Sequence, residues 1–517
     1  MDTPAVTALV LGTAVKVLLW PAYHSTDMEV HRNWLAITYS LPLRDWYVDA
    51  TSPWTLDYPP FFAYLSWALA QPAAWVDPRM VDVVRGLDYA AWPCKAYMRL
   101  TVLVTELVLA AALYAHYTCA RGDSTQRILL LSVLMHPGLV IVDHIHFQYN
   151  GMLFGVLLWA LWAARTHRPL LCAVLFASLL NLKHIYLYVA PAFAVYLLRT
   201  YLVPAAPRSI ASIRSALLRA VCLGTATLIP LVLGILPFFF DAARAGRCPI
   251  RVLNAMHARL FPFHRGLIHA YWAPNVWALY AAADRVLQRL WGQVPLASAS
   301  RGIVGNTAFG VLPDVRPPVC FALALAAALV YVGPLWQRPT YHNLVVCVSL
   351  CALSSFAVGW HVHEKAILLA ALPLSLAASH SYAYLRVFEV LTAVSIVALF
   401  PLLFTHLETP IKLLYAAIWC VIVRQALVRR VLRPMPTNLG ILIHAAESLY
   451  MQGLVALALA TNVAWPLAKG VAPHLASPKV EFLPLLLTSV YCAVGVVYVW
   501  GRLTWLYVVG APGTKQE

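Results

Sequence analysis

Residues 25–64, STDMEVHRNWLAITYSLPLRDWYVDATSPWTLDYPPFFAY, form the polar stretch around which the rest of the chain is arranged. An apolar run, 6–20, precedes it, and a mostly hydrophobic chain follows. Eight of the 21 acidic residues lie between Asp27 and Asp88. Because acids are scarce elsewhere, this cluster marks a segment that meets water, and Asp27 is its first carboxylate.

The composition indicates an integral membrane protein. Of the 517 residues, 62% are hydrophobic and 11% are charged, whereas soluble domains carry about 25% charged residues. Apolar runs recur along the whole chain without the alternation of a β-barrel, so we predict an all-α, polytopic fold. The net charge of +16 matches the excess of Lys and Arg in cytoplasmic loops, so membrane lipid and not nucleic acid is the expected surrounding partner.

Hydropathy predicts about fourteen membrane-spanning helices in a single integral membrane domain, 1–517. A further segment, 274–291, is amphipathic, and we interpret it as a surface helix. The short loops on one side, at Arg121, Arg165, Arg338 and Arg424, are then all basic, as cytoplasmic loops are, and both termini lie there. The predicted spans are 4–22, 99–118, 128–143, 150–165, 169–182, 185–203, 217–240, 319–337, 342–359, 365–380, 387–404, 410–425, 440–463 and 484–508.

The opposite side of the membrane receives the distinctive polar segments. These are the first loop, 21–98, the long segment 241–316 with its surface helices, and three short motifs. The region 380–517 adds further transmembrane helices. Cys94 and Cys248 fall in loops on this side, so one disulfide at most is expected there.

Asp27, Glu29 and Arg32 follow the first helix at short spacing, and Glu29 and Arg32 are predicted substrate contacts. A carboxylate at the membrane interface, partly shielded from water, has a raised pKa and suits a general base. The alternative is that Asp27 only caps the helix that follows. Asp57 and Tyr58 lie in the turn WTLDYPP, 54–60, where two prolines fix the backbone, and they either contact a sugar or only hold the turn.

The motif DHIHFQYN, 143–150, places six polar side chains in eight positions at a helix end. Such density at a membrane border is costly unless a water-filled pocket or a ligand satisfies it. His144, His146, Gln148 and Asn150 are therefore predicted substrate contacts. We favour neutral hydrogen bonding over metal ligation for the two histidines.

Two further motifs supply cations: NLKHIY, 181–186, and GWHVHEK, 359–365. Their side chains are suited to neutralising a phosphate, and the predicted contacts are Lys183, His184, His361, His363, Glu364 and Lys365. A metal site of two histidines and the glutamate is the alternative, disfavoured because no third histidine has characteristic spacing. With no phosphate-binding glycine loop present, nucleotide hydrolysis is not supported. The pattern predicts displacement of a phosphate leaving group at a membrane.

Four motifs in this order resemble the dolichyl-phosphate-glucose-dependent α-1,3-glucosyltransferases of asparagine-linked glycosylation. DYPP alone is a weak signal, but four ordered motifs dispersed over about residues 1–375 are specific. GM after HFQYN and GWH before VHEK are most similar to the branch that adds the second glucose. The motifs are STDMEVHRNWLAITYSLPLRDWY (25–47), WTLDYPPFFAY (54–64), DHIHFQYNGML (143–153) and GWHVHEKAILL (359–369).

The resemblance implies a C-type glycosyltransferase fold in the endoplasmic reticulum membrane, with a lumenal active site and cytoplasmic termini. It implies a dolichyl-phosphate-glucose donor and a dolichyl-diphosphate-linked Glc1Man9GlcNAc2 acceptor. It also implies Asp27 as the general base of an inverting transfer, with no cofactor and no metal ion.

Other functions remain open at this point. Within the enzyme class, the alternatives are the transferase adding the first glucose and a related mannosyltransferase. Outside it, a transporter of lipid-linked sugars is the main rival, although transporters usually show internal repeats and sites at the membrane midplane. A non-catalytic scaffold is a weaker rival because it has no need of four acidic or histidine-rich motifs on one face.

Overall fold

A computed structural model describes residues 2–203, 210–261, 266–269, 271–291, 309–431, 437–472 and 480–510. Parts of the predicted long loop, 262–265, 270 and 292–308, lie outside the described residues. The described residues form helices joined by turns and irregular segments, with one isolated parallel bridge between Ile268 and Val362, and they contain no β-strand. The predicted all-α class is confirmed.

Ten α-helices precede residue 200. They are α1 (Thr3–Leu18), α2 (Thr26–Ser40), α3 (Pro60–Val76), α4 (Trp92–Thr105), α5 (Leu107–Cys119), α6 (Ser124–Val133), α7 (Pro137–Leu139), α8 (Asn150–Arg165), α9 (Pro169–Leu182) and α10 (Ala190–Leu197). A π-helical segment, Val140–Phe147, continues α7 into the DHIHFQYN motif.

Eleven more follow in the described part of the chain. They are α11 (Ile210–Arg244), α12 (Pro249–Leu260), α13 (Val276–Trp291), α14 (Pro317–Gln337), α15 (Tyr341–Val358), α16 (Leu368–Leu374), α17 (Tyr382–Ala398), α18 (Ala416–Val428), α19 (Asn438–Leu459), α20 (Trp465–Val471) and α21 (Leu483–Val508).

Ten continuous helical segments among the described residues are long and apolar enough to cross a membrane. Each coincides with a predicted span, so the chain is a multi-pass membrane protein. The segments are Trp92–Cys119, Ser124–Phe147, His184–Leu202, Ile213–Arg244, Pro317–Gln337, Tyr341–Val358, Tyr382–Leu402, His406–Val428, Asn438–Val471 and Leu483–Val508.

The other four predicted spans are not among these ten segments. Helices α8 and α9 have the predicted bounds, with 16 and 14 residues, whereas α1 has 16 residues and ends at Leu18. The fourth, 365–380, was predicted as one helix but is a 3₁₀ turn (Glu364–Ile367), the seven-residue α16 and a run of turns. Pro373 lies inside α16 and removes a helical hydrogen-bond donor, which favours this interruption. The total of fourteen spans stays a prediction. The surface helix expected at 274–291 is α13, which is not among the ten spans.

The chain divides into two compact units. The first comprises Met1–Cys119 and Leu139–Pro262, and the second comprises Ala120–Gly138 and Phe263–Glu517. All ten cysteines are free thiols; Cys94 is buried and Cys248 is exposed, so they do not form the disulfide considered above.

In the first unit, α2 packs against α3 through buried aromatic residues. Trp34 and Phe62 are almost completely buried, with ring centroids 5.7 Å apart. The indole Nε1 of Trp34 donates to the Thr55 carbonyl at 3.1 Å, which fastens the turn 54–60 to α2. Two elements that carry predicted site residues are thereby held together.

In the second unit, α15 lies at the centre, buried from Leu344 to Val358. Helix α13 is fastened to the segment that follows α15. Asn275 caps α13 and donates to the Phe356 carbonyl at 3.2 Å, and Trp277 Nε1 donates to the Gly359 carbonyl at 2.9 Å. The start of the GWHVHEK motif is therefore fixed by neutral hydrogen bonds.

Candidate active site

Asp27 lies in the first turn of α2, with a quarter of its side chain exposed. Ser25 caps this helix, and its hydroxyl oxygen accepts from the Asp27 amide at 3.1 Å. Asp27 Oδ2 accepts a hydrogen bond from Gln148 Nε2 at 2.7 Å and lies 3.3 Å from His146 Nε2. The structure thus brings together two motifs that are about 120 residues apart in the sequence.

Hydrogen bonds extend from Gln148 to a lysine. Asn150 Nδ2 donates to Gln148 Oε1 at 2.8 Å and to Asp143 Oδ1 at 2.9 Å, while Asn150 Oδ1 accepts from Lys183 Nζ at 3.2 Å. Asp143 also accepts from the Gly151 amide at 2.6 Å, at the start of α8. A buried carboxylate at a helix N-terminus is stabilised by the helix dipole. We call Asp27, Asp143, His146, Gln148, Asn150 and Lys183 the acid group.

Tyr58 and Asp57 lie beside the acid group. The Lys183 ammonium stands 4.8 Å from the centre of the Tyr58 ring, and Tyr47 donates to the Tyr58 carbonyl at 2.7 Å. Burial, followed by the charges of Asp57 and Asp27, raises the pKa of Tyr58 well above its usual value. The Tyr58 hydroxyl therefore keeps its proton near neutral pH and can donate a hydrogen bond.

Glu29 and Arg32, which were predicted to contact substrate, bind each other. Arg32 Nε and one terminal nitrogen reach the two Glu29 oxygens at 2.7 and 2.8 Å, and the guanidinium also donates to the Met80 carbonyl at 2.9 Å. Arg32 is completely buried. The pair joins α2 to the 3₁₀ helix Pro78–Val81.

His144 and His184 face other neighbours. His144 Nε2 lies 3.0 Å from Glu106 Oε2, and Lys16 Nζ lies 2.6 Å from the same oxygen. Glu106 and Lys16 are not among the predicted site residues, although a charged residue inside an apolar run is often functional. The His184 ring packs 5.5 Å from that of Phe261.

A second group of polar residues lies in the second unit, where GWHVHEK meets the segment 266–269. The His361 amide donates to the Leu267 carbonyl at 3.0 Å, and His361 Nδ1 lies 2.6 Å from the Gly266 carbonyl. The bridge between Ile268 and Val362 completes the junction. His361 has a φ of +51°, a conformation that non-glycine residues rarely adopt and that commonly occurs at functional sites.

This junction adds a histidine that sequence reasoning missed. The His269 ring centre is 3.7 Å from that of His363 and 5.4 Å from that of His361. One ligand atom from each of the three histidines lies within 4.8 Å of the others, so they could hold a metal ion. His269 is about ninety residues from GWHVHEK, so no spacing rule could pair them. We call His269, His361, His363, Glu364 and Lys365 the histidine group.

The charge state of the histidine group follows from its burial and neighbours. Burial by itself would raise the pKa of Glu364, but the imidazole of His269, 3.3 Å away, and the charge of Lys365 lower it to about 2. Burial, followed by the neighbouring imidazole of His269, lowers the pKa of His363 well below its usual value. Glu364 is therefore ionised and His363 is neutral at physiological pH.

The two groups support different chemistry. The acid group presents a partly exposed carboxylate beside hydrogen-bond donors, an arrangement suited to removing a proton. The histidine group presents imidazoles and an ammonium, which suit binding of an anion. Together with the helical architecture they describe a multi-pass membrane enzyme.

Comparison with known proteins identifies the family. Residues 12–503 match the ALG6, ALG8 glycosyltransferase family, and the chain belongs to it. A relative from Gibberella zeae is 46% identical over 509 residues, covering 96% of this chain and 97% of the relative. One from Mus musculus is 42% identical over 531 residues, covering 99% and 97%. Both are named dolichyl pyrophosphate Glc1Man9GlcNAc2 alpha-1,3-glucosyltransferase.

Proposed function

We propose that the chain transfers glucose from dolichyl-phosphate-glucose to the terminal glucose of dolichyl-diphosphate-linked Glc1Man9GlcNAc2, forming an α-1,3 bond. The observation that carries the proposal is the Asp27 carboxylate, partly exposed and held by Gln148 and His146, in a chain that aligns over nearly its whole length with relatives of that name. We further propose that the reaction takes place on the lumenal side of the endoplasmic reticulum membrane and that both termini lie in the cytoplasm.

Asp27 is the proposed general base. It accepts the proton from the 3-hydroxyl of the terminal glucose as that oxygen attacks the anomeric carbon of the β-linked donor. The bond between the anomeric carbon and the phosphate oxygen breaks, and dolichyl phosphate leaves with the electron pair. One displacement converts the β linkage to an α linkage. A positioned base contributes about 10²- to 10⁴-fold to the rate of such a step.

The histidine group is proposed to hold the donor phosphate. Lys365 supplies positive charge, while His363, which is neutral, supplies a hydrogen bond to the departing oxygen. His361 and His269 complete the site, and Glu364 orients His269 from 3.3 Å. Asp57 and Tyr58 remain proposed contacts to the sugars, and Lys183 remains a further proposed cation for the phosphate. On this account the reaction needs no metal ion and no cofactor.

A metal-dependent reaction is the second candidate, because His269 supplies the third histidine that the sequence lacked at characteristic spacing. Three histidines are a common ligand set for zinc. In that case the ion, rather than Lys365, would offset the charge on the phosphate. The two versions differ in a property that can be measured directly, sensitivity to chelation.

The test is glucose transfer by the purified protein in detergent. Dolichyl-phosphate-glucose is supplied with acceptors ending either in mannose or in one α-1,3-linked glucose, each with and without EDTA. We expect transfer to the glucose-ended acceptor alone, unaffected by EDTA. Transfer to the mannose-ended acceptor would move the reaction to the first glucose. Loss of activity in EDTA, restored by zinc, would favour the metal site, and no transfer by folded protein would favour a transporter.

A further inference from the structure

Arg99 is a buried arginine on α4 for which the proposed mechanism has no use. Only 2% of it is exposed. One terminal nitrogen donates to the His144 carbonyl at 2.6 Å, and the other donates to the Tyr23 and Ile145 carbonyls at 2.8 and 2.9 Å. The guanidinium therefore bridges the segment before Asp27 and the end of the helix before Gln148.

The carbonyls that Arg99 contacts need partners. The helical segment Ser124–Phe147 ends here, and the last carbonyls of a helix have no partner within the helix. A cation at this end also interacts favourably with the helix dipole. Arg99 donates to two of these carbonyls, and its planar guanidinium also reaches the second chain segment. A lysine ammonium is a single compact donor group and lacks this fixed fork of donors.

Ser25 satisfies the next carbonyl in the series. Its amide donates to the His146 carbonyl at 3.0 Å and its hydroxyl donates to the same oxygen at 2.6 Å. The Ser25 hydroxyl oxygen in turn accepts from the Asp27 amide at 3.1 Å. A continuous set of hydrogen bonds thus runs from the His146 backbone to the Asp27 backbone.

The backbone between these contacts is strained. Phe147 has a φ of +93°, and Gln148 is extended, which turns the Gln148 side chain back toward Asp27. A phenylalanine with positive φ is energetically unfavourable and persists only when its surroundings hold it in place. Arg99 and Ser25 hold the residues directly before Phe147.

We propose that Arg99 and Ser25 form a carbonyl clamp that sets the distance between Asp27 and its partners Gln148 and His146. Arg99 is then a positioning residue for the base, acting through the backbone without contacting substrate. The inference rests on the proposed role of Asp27. Misplacing a reacting group by about 1 Å lowers the rate by about 100-fold, and that is the effect expected when the clamp is removed.

The main test is Arg99→Met in the full-length protein. We expect kcat to fall by about 100-fold with the donor KM within about threefold of wild type. The acid limb of the kcat/KM profile moves to higher pH, because a carboxylate that loses its Gln148 donor is less favoured in its ionised form. Arg99→Lys keeps the charge and is expected to restore only part of the rate.

The control is Thr105→Val on the same helix, because the Thr105 hydroxyl donates to the Thr101 and Val102 carbonyls of its own helix. It should leave kcat and the pH profile unchanged. Folded Arg99→Met protein with wild-type kcat and pH profile would overturn the clamp. A wild-type kcat in Arg99→Lys would also overturn the clamp.

The serine provides an independent test if Arg99→Met does not fold. Ser25→Ala should lower kcat by about tenfold, while Ser25→Thr, which keeps the hydroxyl, should stay within about threefold of wild type. Equal kcat for wild type and Ser25→Ala would contradict the clamp. An active Asp27→Asn enzyme would instead contradict the assignment of the base, so failure of the clamp and failure of the proposed function are distinguishable.

Discussion

The acid group and the histidine group are built in different ways. In the acid group, side chains bind side chains: Gln148 and His146 contact Asp27, and Asn150 joins Asp143 to Lys183. These residues lie at helix termini, at the start of α2 and α8 and the end of α9. In the histidine group, two irregular segments are joined through the backbone at Leu267 and Gly266. The proposed base is therefore held by direct side-chain hydrogen bonds, whereas the proposed anion site depends on how two backbone segments meet.

If this difference is functional, changes in the acid group lower kcat and changes in the histidine group raise the donor KM. The strongest test among the supporting residues is Gln148→Leu, which removes the donor at 2.7 Å from Asp27. We expect kcat to fall by about 100-fold, measured as initial rates at saturating donor and acceptor.

The matched control is Gln126→Leu, since Gln126 is a buried amide that bonds to the Ser375 carbonyl in the second unit. Its folded fraction should retain the wild-type kcat. A kcat of Gln148→Leu within threefold of the wild-type value would show that the acid group does not support catalysis.

A smaller effect is expected from Lys365→Met in the histidine group. Loss of the ammonium weakens binding of the phosphate, so donor kcat/KM should fall by about tenfold with the acceptor KM unchanged. Lys412→Met serves as control, because Lys412 is another lysine of the second unit but donates to the Leu403 carbonyl. If donor kinetics are unchanged in Lys365→Met, the cation that holds the phosphate is another residue.

His269→Gln distinguishes hydrogen bonding by His269 from metal ligation by His269. Glutamine can still donate one hydrogen bond but cannot act as a good zinc ligand, so the donor KM should rise by only about threefold to fivefold. A loss of transfer activity of more than about 100-fold in His269→Gln would favour the metal-dependent alternative. His342→Gln is the control, because His342 stacks on His380 in the same unit, with ring centres 3.9 Å apart.

The smallest effect is on stability as a function of pH. Burial lowers the pKa of His363 from its usual 6.5, so below about pH 6.5 the unfolded chain binds a proton at His363 that the folded chain does not. Folded stability should therefore fall as pH is lowered from 7.5 to 5.5, by up to about 1.4 kcal/mol per pH unit for this residue. Thermal unfolding in detergent should show a shallower pH dependence in His363→Gln.

Glu364 provides the contrast in the same experiment. Its pKa is lowered from 4.5 to about 2, so it is ionised in both states between pH 5.5 and 7.5 and adds no pH dependence there. Its stabilising contribution is lost only as pH falls below about 4.5 toward 2. An identical pH dependence in wild type and His363→Gln would show that His363 does not titrate as described.

Much of the fold could be predicted from hydropathy. All ten long apolar segments coincide with predicted spans, because membrane-spanning helices must be apolar over about 20 residues. Hydropathy does not predict the interruption at α16, because the run is apolar throughout and hydropathy does not register the backbone break near Pro373.

The candidate site could be predicted only in part. Motifs close in sequence, such as DHIHFQYN, revealed Gln148 and His146, because polar density at a helix end is itself unusual. His269 and Arg99 could not be found that way. His269 is isolated in an irregular segment, far in sequence from the other histidines. Arg99 donates to backbone carbonyls, and because every residue has a carbonyl, the sequence does not show which ones it binds.

Asp27→Asn tests whether Asp27 removes the proton from the acceptor hydroxyl. Asparagine keeps the size and polarity of the side chain but cannot accept the proton. Single-turnover transfer from bound, radiolabelled dolichyl-phosphate-glucose to the glucose-ended acceptor should fall by about 10³-fold or more, with donor binding within about threefold of wild type. Transfer at a rate near that of wild type would contradict the account.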